Sequence, residues 1–366
     1  MSAITPPRLA RASVSSLPLY APDVTACAID LSDNTNLWGA PPAALRSIRD
    51  VAGGMIARYP SIYSAELGGA YLRYLGLETT GVGIATGCGS DDVLDATMRA
   101  FGSAGDAIAF STPTFSMIPT FAQLNDLKPI TIPLTARFDV DAQRLVDARA
   151  KITYLCSPNN PTSTALSRAA VEYVVDHAHG VVVIDGAYEE FAAESFVGQV
   201  ERSDRVIVTR TMSKAFGLAG LRVGFGVGSV ELVRLIERAR GPYKVNALAE
   251  CASFAALDNS ADGLDWVKAH VQRAIENRSK LDVALRTLEL IPLASEANFL
   301  LVPSARAAEL TDRLKHRGIL VRSFANLGVD VPFLAESGGA ALRIGVGPWP
   351  MLQSLLDALA PEMECV

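Results

Sequence analysis

Val206-Ile207-Val208-Thr209-Arg210-Thr211-Met212-Ser213-Lys214-Ala215-Phe216-Gly217-Leu218-Ala219-Gly220-Leu221-Arg222 carries a lysine just past an apolar, β-branched run, with an arginine eight residues beyond it. A glycine-rich return, Val223-Gly224-Phe225-Gly226, follows. The β-branched run predicts a buried strand. Lys214 stands at its end, behind the hydroxyls of Thr211 and Ser213. A lysine normally stays in water, because burying its charge without a partner is costly. Such a lysine suits use as a neutral amine that forms a Schiff base with an aldehyde. Holding it neutral at pH 7 costs about 4–5 kcal/mol, given an ordinary pKa of about 10.4 and about 1.36 kcal/mol per unit. A nearby cation and an apolar wall lower that cost. Arg222 and the flanking Ala215, Phe216 and Leu218 are the candidates to supply them.

The rest of the chain narrows the class. Its 366 residues suggest about two domains. A hydrophobic share of 49% against 20% charged fits a globular protein with a large core. The net charge of −6, with no lysine or arginine cluster, argues against a nucleic-acid partner. Cys27, Cys88, Cys156, Cys251 and Cys365 form neither a CxxC pair nor a zinc spacing, so they read as reduced thiols of a cytoplasmic protein. The histidines do not cluster with them, and His177 and His179 read as a solvated turn, so no metal is expected. No apolar run approaches the roughly 20 residues of a membrane span. The first residues contain arginines and serines but no apolar core of a secretory leader, and read as a structural arm.

From about residue 82 to 228, helical periodicity alternates with short apolar strands. Helices are expected over 91–101 and 167–178, the second capped by Ser167. Strands are expected over 106–110, 152–156, 181–184 and 206–208. The alternation predicts an α/β fold with a mostly parallel sheet covered on both faces. Beyond about 229 the expected elements are helices over 230–239, 246–257, 266–288 and 307–317, and strands over 298–302, 319–322 and 341–346. These read as a smaller α+β unit. The expected division is an arm over 1–30, a large domain over 31–245, and an interdomain helix with a small C-terminal domain over 246–366.

Pro113-Thr114-Phe115, Asn160, Asp185 and Lys214 all fall just after predicted strands, where open α/β sheets bind ligands. Gly87-Cys88-Gly89-Ser90-Asp91-Asp92 leads into a helix whose free N–H groups suit a phosphate. The same stretch also reads as a plain turn with Ser90 as N-cap. A nucleotide fingerprint is absent, since Gly81-Val82-Gly83 lacks the spacing. Asp185, at the end of a buried strand, needs a partner such as a protonated ring nitrogen. A Schiff-base lysine, a carboxylate, an aromatic, an asparagine, hydroxyls and an arginine together match the needs of pyridoxal 5′-phosphate.

The sequence resembles the fold-type I pyridoxal-phosphate aminotransferases of class I/II, most closely the histidinol-phosphate aminotransferases. The resemblance runs through Tyr59-Pro60, Gly89-Ser90-Asp91, Pro113-Thr114-Phe115, Ser157-Pro158-Asn159-Asn160-Pro161-Thr162, Asp185-Gly186-Ala187-Tyr188, Ser213-Lys214-Ala215-Phe216-Gly217, Asn298-Phe299 and Leu342-Arg343-Ile344. It implies that Lys214 holds the cofactor and moves the proton, Asp185 pairs with the pyridine nitrogen, and Asn160 and Tyr188 bind the 3-oxygen. It implies that Phe115 stacks on the ring, and that Ser90, Asp91, Thr211, Ser213 and Arg222 hold the phosphate. Arg343, assisted by Arg322, would bind the substrate carboxylate or phosphate. Tyr20 would close the substrate pocket from the arm, and Tyr59 would reach the cofactor of a second subunit in a homodimer with shared sites. Asn36 and Trp38 lie in a segment that borders the substrate side. There the family's Asn-Glu-Asn-Pro-Tyr-Gly is replaced by Asn34-Thr35-Asn36-Leu37-Trp38-Gly39. Phe115, Cys88, Gly186 and Ser163 are further departures. The implied activity is transfer of an amino group from an amino-acid or amino-phosphate donor to a 2-oxo acid. The alternative on the same scaffold is a decarboxylase of the threonine-phosphate type.

Overall fold

A computed structural model describes residues 9–77 and 80–363. The start of the arm and Cys365 lie outside the described residues. The strands are β1 (Ile29–Asp30), β2 (Val82–Cys88), β3 (Ala107–Thr112), β4 (Lys128–Pro133), β5 (Ile152–Cys156) and β6 (Val181–Asp185). They continue as β7 (Val206–Thr211), β8 (Val223–Ser229), β9 (Phe299–Pro303), β10 (Ile319–Leu320), β11 (Arg322–Phe324) and β12 (Ala341–Gly345).

Seven strands form the main sheet in the order β2-β8-β7-β6-β5-β3-β4. Only β8 runs against its neighbours, β2 and β7; the other pairings are parallel. The β-branched runs explain this. Val182 and Ile184 of β6 enter one apolar cluster, while Val181 and Val183 enter a second on the opposite face. Val206 and Val208 of β7 join the first cluster and Ile207 the second. A strand apolar on both sides is stable only between two layers of helices. The helix Gly89–Phe101 packs on β2 and β8, and the helix Val230–Arg238 also packs on β2. The Ser167 cap acts where the sequence predicts it, its Oγ accepting from Ala170 N at 3.2 Å, and Asn246 caps a second helix, its Oδ1 accepting from Ala249 N at 2.9 Å.

The C-terminal part carries a three-stranded antiparallel sheet, β11-β12-β9. The single strand expected over 319–322 is two strands. Ile319 and Leu320 pair with β1, whereas Arg322 to Phe324 pair with β12. The apolar content of 319–321 is real, but Val321 marks a change of partner that no local pattern encodes. The pairing β1–β10, with Gly345 N donating to Leu31 O at 2.8 Å, ties the segment after the arm to the C-terminal sheet. Among the described residues, no helix is long and apolar enough to cross a membrane.

Candidate active site

The carboxyl ends of the parallel strands open onto a cavity of about 710 Å³. Ser90, Asp91, Phe115, Asn160, Asp185, Tyr188, Thr211, Ser213, Lys214, Arg222, Arg322, Arg343 and Tyr20 all line it. They come from strand ends and loops of the main sheet, the start of the helix Gly89–Phe101, the arm, and strands β11 and β12 of the C-terminal sheet.

Asp185 ends β6 and is 3% exposed. Burial pushes its carboxyl up to about 6, and the charge of Asp91 pushes the same way. Three donors oppose this: Tyr154 OH at 2.8 Å on Oδ2, and Thr209 Oγ1 at 3.1 Å and Ala187 N at 3.2 Å on Oδ1. Tyr154 and Thr209 had no place in the sequence reading. The signal was the parallel register, which sets Cys156 and Thr209 beside Asp185.

Lys214 lies in the loop after β7. Its Nζ donates to Asp33 O at 3.1 Å and sits 5.7 Å from the Tyr188 ring centre. Burial lowers its pKa to about 8. Arg343 lowers it further, Asp33 and Asp91 oppose, and Arg222 acts more weakly than Arg343. Ala215, Phe216 and Leu218, expected as an apolar wall, are buried in the core and do not line the cavity that holds Lys214. The expected cation differs: Arg343, from β12, outweighs Arg222, because proximity in space is set by the C-terminal sheet rather than by the loop.

At the other end β2 runs straight into the helix Gly89–Phe101, whose N-cap is Cys88 and not Ser90. Gly89 has φ +78, and a Cβ there would meet Arg222 Nη2 at 2.7 Å. Gly224 lies so close to the helix start that a Cβ would meet Ser90 N at 2.2 Å. These glycines let backbone N–H groups, the Thr211 and Ser213 hydroxyls and the Arg222 guanidinium converge on one cup. Arg222 Nη2 lies 3.4 Å from Asp91 Oδ2. Ser213 Oγ is buried with no partner among the described residues.

Arg343 is largely buried, which lowers its pKa. It donates to Asn160 Oδ1 at 2.9 Å and to Ser32 O, and its Nε has no partner. Tyr20 is 69% exposed at the rim. Three expected site residues stand elsewhere. Tyr59 is 81% exposed and stacks on Tyr243, with ring centres 4.7 Å apart. Asn36 Nδ2 donates to Ala215 O at 2.9 Å, bracing the lysine loop from behind. Trp38 packs edge-on against His270 at 5.9 Å. Their positions in sequence sit close to the pocket, but their side chains turn to the core or to the surface.

The profile of the family described as aminotransferase class I and II matches residues 27–359. A histidinol-phosphate aminotransferase from Roseiflexus castenholzii is 36% identical, over 90% of this chain and 88% of its own length. An aromatic amino acid aminotransferase from Corynebacterium glutamicum is 34% identical, over 86% and 92%. Among solved structures, the histidinol-phosphate aminotransferase of Sinorhizobium meliloti in complex with pyridoxal-5′-phosphate superposes with a TM-score of 0.82 at 25% identity. That alignment covers 93% of this chain and 92% of the other. An L-threonine-O-3-phosphate decarboxylase from Porphyromonas gingivalis, 20% identical with a TM-score of 0.77 over 92% and 99% of the two chains, shares the fold.

Proposed function

The chain belongs to the class I and II aminotransferases, and from that premise we propose how its own residues divide the work. It is a fold-type I pyridoxal-phosphate-dependent aminotransferase acting on amino acids and 2-oxo acids. The residues present fit the cofactor. The unpartnered Ser213 hydroxyl beside the glycine cup is what a phosphate oxygen would complete, and Asp185 keeps a lone pair for a ring N–H. When bound, pyridoxal phosphate supplies an aldehyde and a protonated ring that draws electrons from the substrate carbon.

In this reading Lys214 Nζ tethers the group and afterwards takes the proton from the substrate Cα. Its lowered pKa of about 8 keeps a usable fraction neutral near physiological pH. Asp185 keeps the ring nitrogen protonated. Asn160 and Tyr188 would donate to the 3-oxygen, and Phe115 would stack on the ring. The N–H groups of Ser90 and Asp91, with Thr211, Ser213 and Arg222, hold the phosphate. Arg343 receives the anionic group of the substrate, with Arg322 beside it. Tyr20 covers the opening, Asn36 braces the Lys214 loop through Ala215 O, and Trp38 packs against His270 away from the cavity. The donor is an amino acid or amino phosphate whose far end lies against Tyr20, Phe324 and Leu327, all of which line the cavity.

The observation that carries this reading is the convergence of Lys214, Asp185 and Arg343 in one cavity. The protein works as a homodimer, with Tyr59 reaching the phosphate cup of a second copy. The exposed apolar residues Met55, Ile56, Ile62 and Tyr63 around Tyr59 support this. The large domain over 31–245 and the smaller unit over 246–366 close the site between them. The test is a panel of amines added to the coloured holoenzyme. Histidinol phosphate or an aromatic amino acid is expected to bleach the visible band, and a 2-oxo acid to restore it. Carbon dioxide release without dependence on a 2-oxo acid would instead assign a decarboxylase.

A further inference from the structure

Asn34 holds no role in the reading above, yet it is 2% exposed, lines the cavity and has the left-handed φ of 58°. Its Nδ2 donates to Tyr188 OH at 3.2 Å, its carbonyl accepts from Asn298 Nδ2 at 3.0 Å, and its Oδ1 is buried without a partner. We propose that Asn34 is a positioning residue that keeps the hydroxyl proton of Tyr188 directed at the 3-oxygen of the cofactor. This rests on the reading of Tyr188 and Asn160 given above.

A phenol hydroxyl has one proton and two lone pairs. The Asn34 N–H occupies a lone pair of Tyr188, so the proton is left free to donate. Asn160 is arranged in the same way. Its Oδ1 already accepts from Arg343 Nη1 at 2.9 Å, which leaves its Nδ2 to donate. Two donors therefore converge, each fixed by a neighbour that occupies its accepting side. Turning the Asn34 amide over would reverse one of them, because Tyr188 would then donate to Asn34. The pair is shielded on its inner side, since Tyr188 is 4% exposed and its ring meets Phe299 edge-on at 5.1 Å. Burial also holds the Tyr188 hydroxyl protonated, pushing its pKa up to about 12.

The test uses two substitutions that keep the left-handed backbone, N34D and N34G, because aspartate and glycine both tolerate it. Aspartate only accepts, so N34D draws the Tyr188 proton away, while N34G merely removes the donor. A donor to an anionic 3-oxygen lowers the proton affinity of the group conjugated with it. In N34D the pH midpoint of the holoenzyme's visible band is expected to rise by about one unit, roughly tenfold in proton affinity. Pyridoxal phosphate titrated into the cofactor-free protein is expected to bind about tenfold more weakly. N34G should show a smaller shift of the same sign. Arg343, Asp185, Cys156 and Lys214 around Tyr188 are unchanged in these variants, but N34D adds a carboxylate whose charge raises the midpoint on its own, so N34G is the variant that isolates the lost donor.

The deciding arm is N34G in a Y188F background, where the proposal requires no further shift, because glycine adds no charge of its own. Should N34D fail to fold, N34G and N34G/Y188F carry the same comparison. A shifted midpoint in Y188F with wild-type values in N34D and N34G overturns the inference alone. A wild-type midpoint in Y188F removes the assignment of Tyr188 and the inference with it.

Discussion

Lys214 and Asp185 are displaced from their ordinary pKa values by the same cause, burial, in the directions that favour their neutral forms. Each displacement makes stability depend on pH. Between about 8 and 10.5 the unfolded chain keeps a lysine proton that the folded, cofactor-free chain has released. Stability therefore rises with pH across that window, and Lys214→Met should flatten the rise in urea midpoints measured at its two ends. For Asp185 the window runs from about 3.8 to 6 and the sign reverses, because the folded chain holds the extra proton. Stability falls as pH rises through it, and Asp185→Asn should abolish that fall. In the holoenzyme, Lys214→Ala is expected to lose the adduct trapped by borohydride and at least about a thousandfold in turnover. An adduct persisting on another residue would contradict the assignment. Tyr154→Phe should retain cofactor but shift the acid limb of the rate profile upward, since one of three donors to Asp185 is gone. The sequence revealed Lys214 and Asp185 because a charge at the end of an apolar run is visible locally. Tyr154, Thr209 and Asn34 were not legible, because their partners lie on other strands or loops and their residue types are ordinary ones in strands and turns.

At the scale of elements, β-branched runs and the Ser167 cap located β5, β6, β7 and the helix Arg168–His177 that follows β5 to within a few residues. The division of 319–322 between two sheets escaped, since partner choice is a tertiary matter. The phosphate cup shows how little sequence such an element needs. Its shape depends on Gly89 having no side chain where the Arg222 guanidinium passes. Gly89→Ala places a methyl 2.7 Å from that guanidinium and on a backbone that alanine avoids. The expected result is an affinity for pyridoxal phosphate at least about tenfold weaker, with a cost to the fold of about 1–3 kcal/mol. Titration of the cofactor-free variant, monitored by absorbance, checks the first, and thermal unfolding checks the second. Unaltered affinity would remove the cup from the phosphate site.

For the whole molecule the proposed second copy is the largest claim. Sedimentation should give about twice the chain mass of 38.8 kDa. Tyr59→Phe should weaken cofactor binding severalfold without changing that mass, because the stacked ring is kept and only the hydroxyl is lost. A monomer of full activity would refute the shared site. The pairing of Ile29 with Ile319 and of Leu31 with Leu320 and Gly345 has a consequence for biosynthesis. Ser32, Asp33 and Asn34 follow directly on that strand; the first two accept from Arg343 and Lys214 through their carbonyls, and Asn34 donates to Tyr188. A ribosome must release nearly the entire polypeptide before this early segment can dock. A nascent fragment stalled before Ile319 holds both Lys214 and Asp33 but lacks the strand that seats the Asp33 carbonyl against the lysine, so vitamin loading is expected to wait for the last stretch of translation.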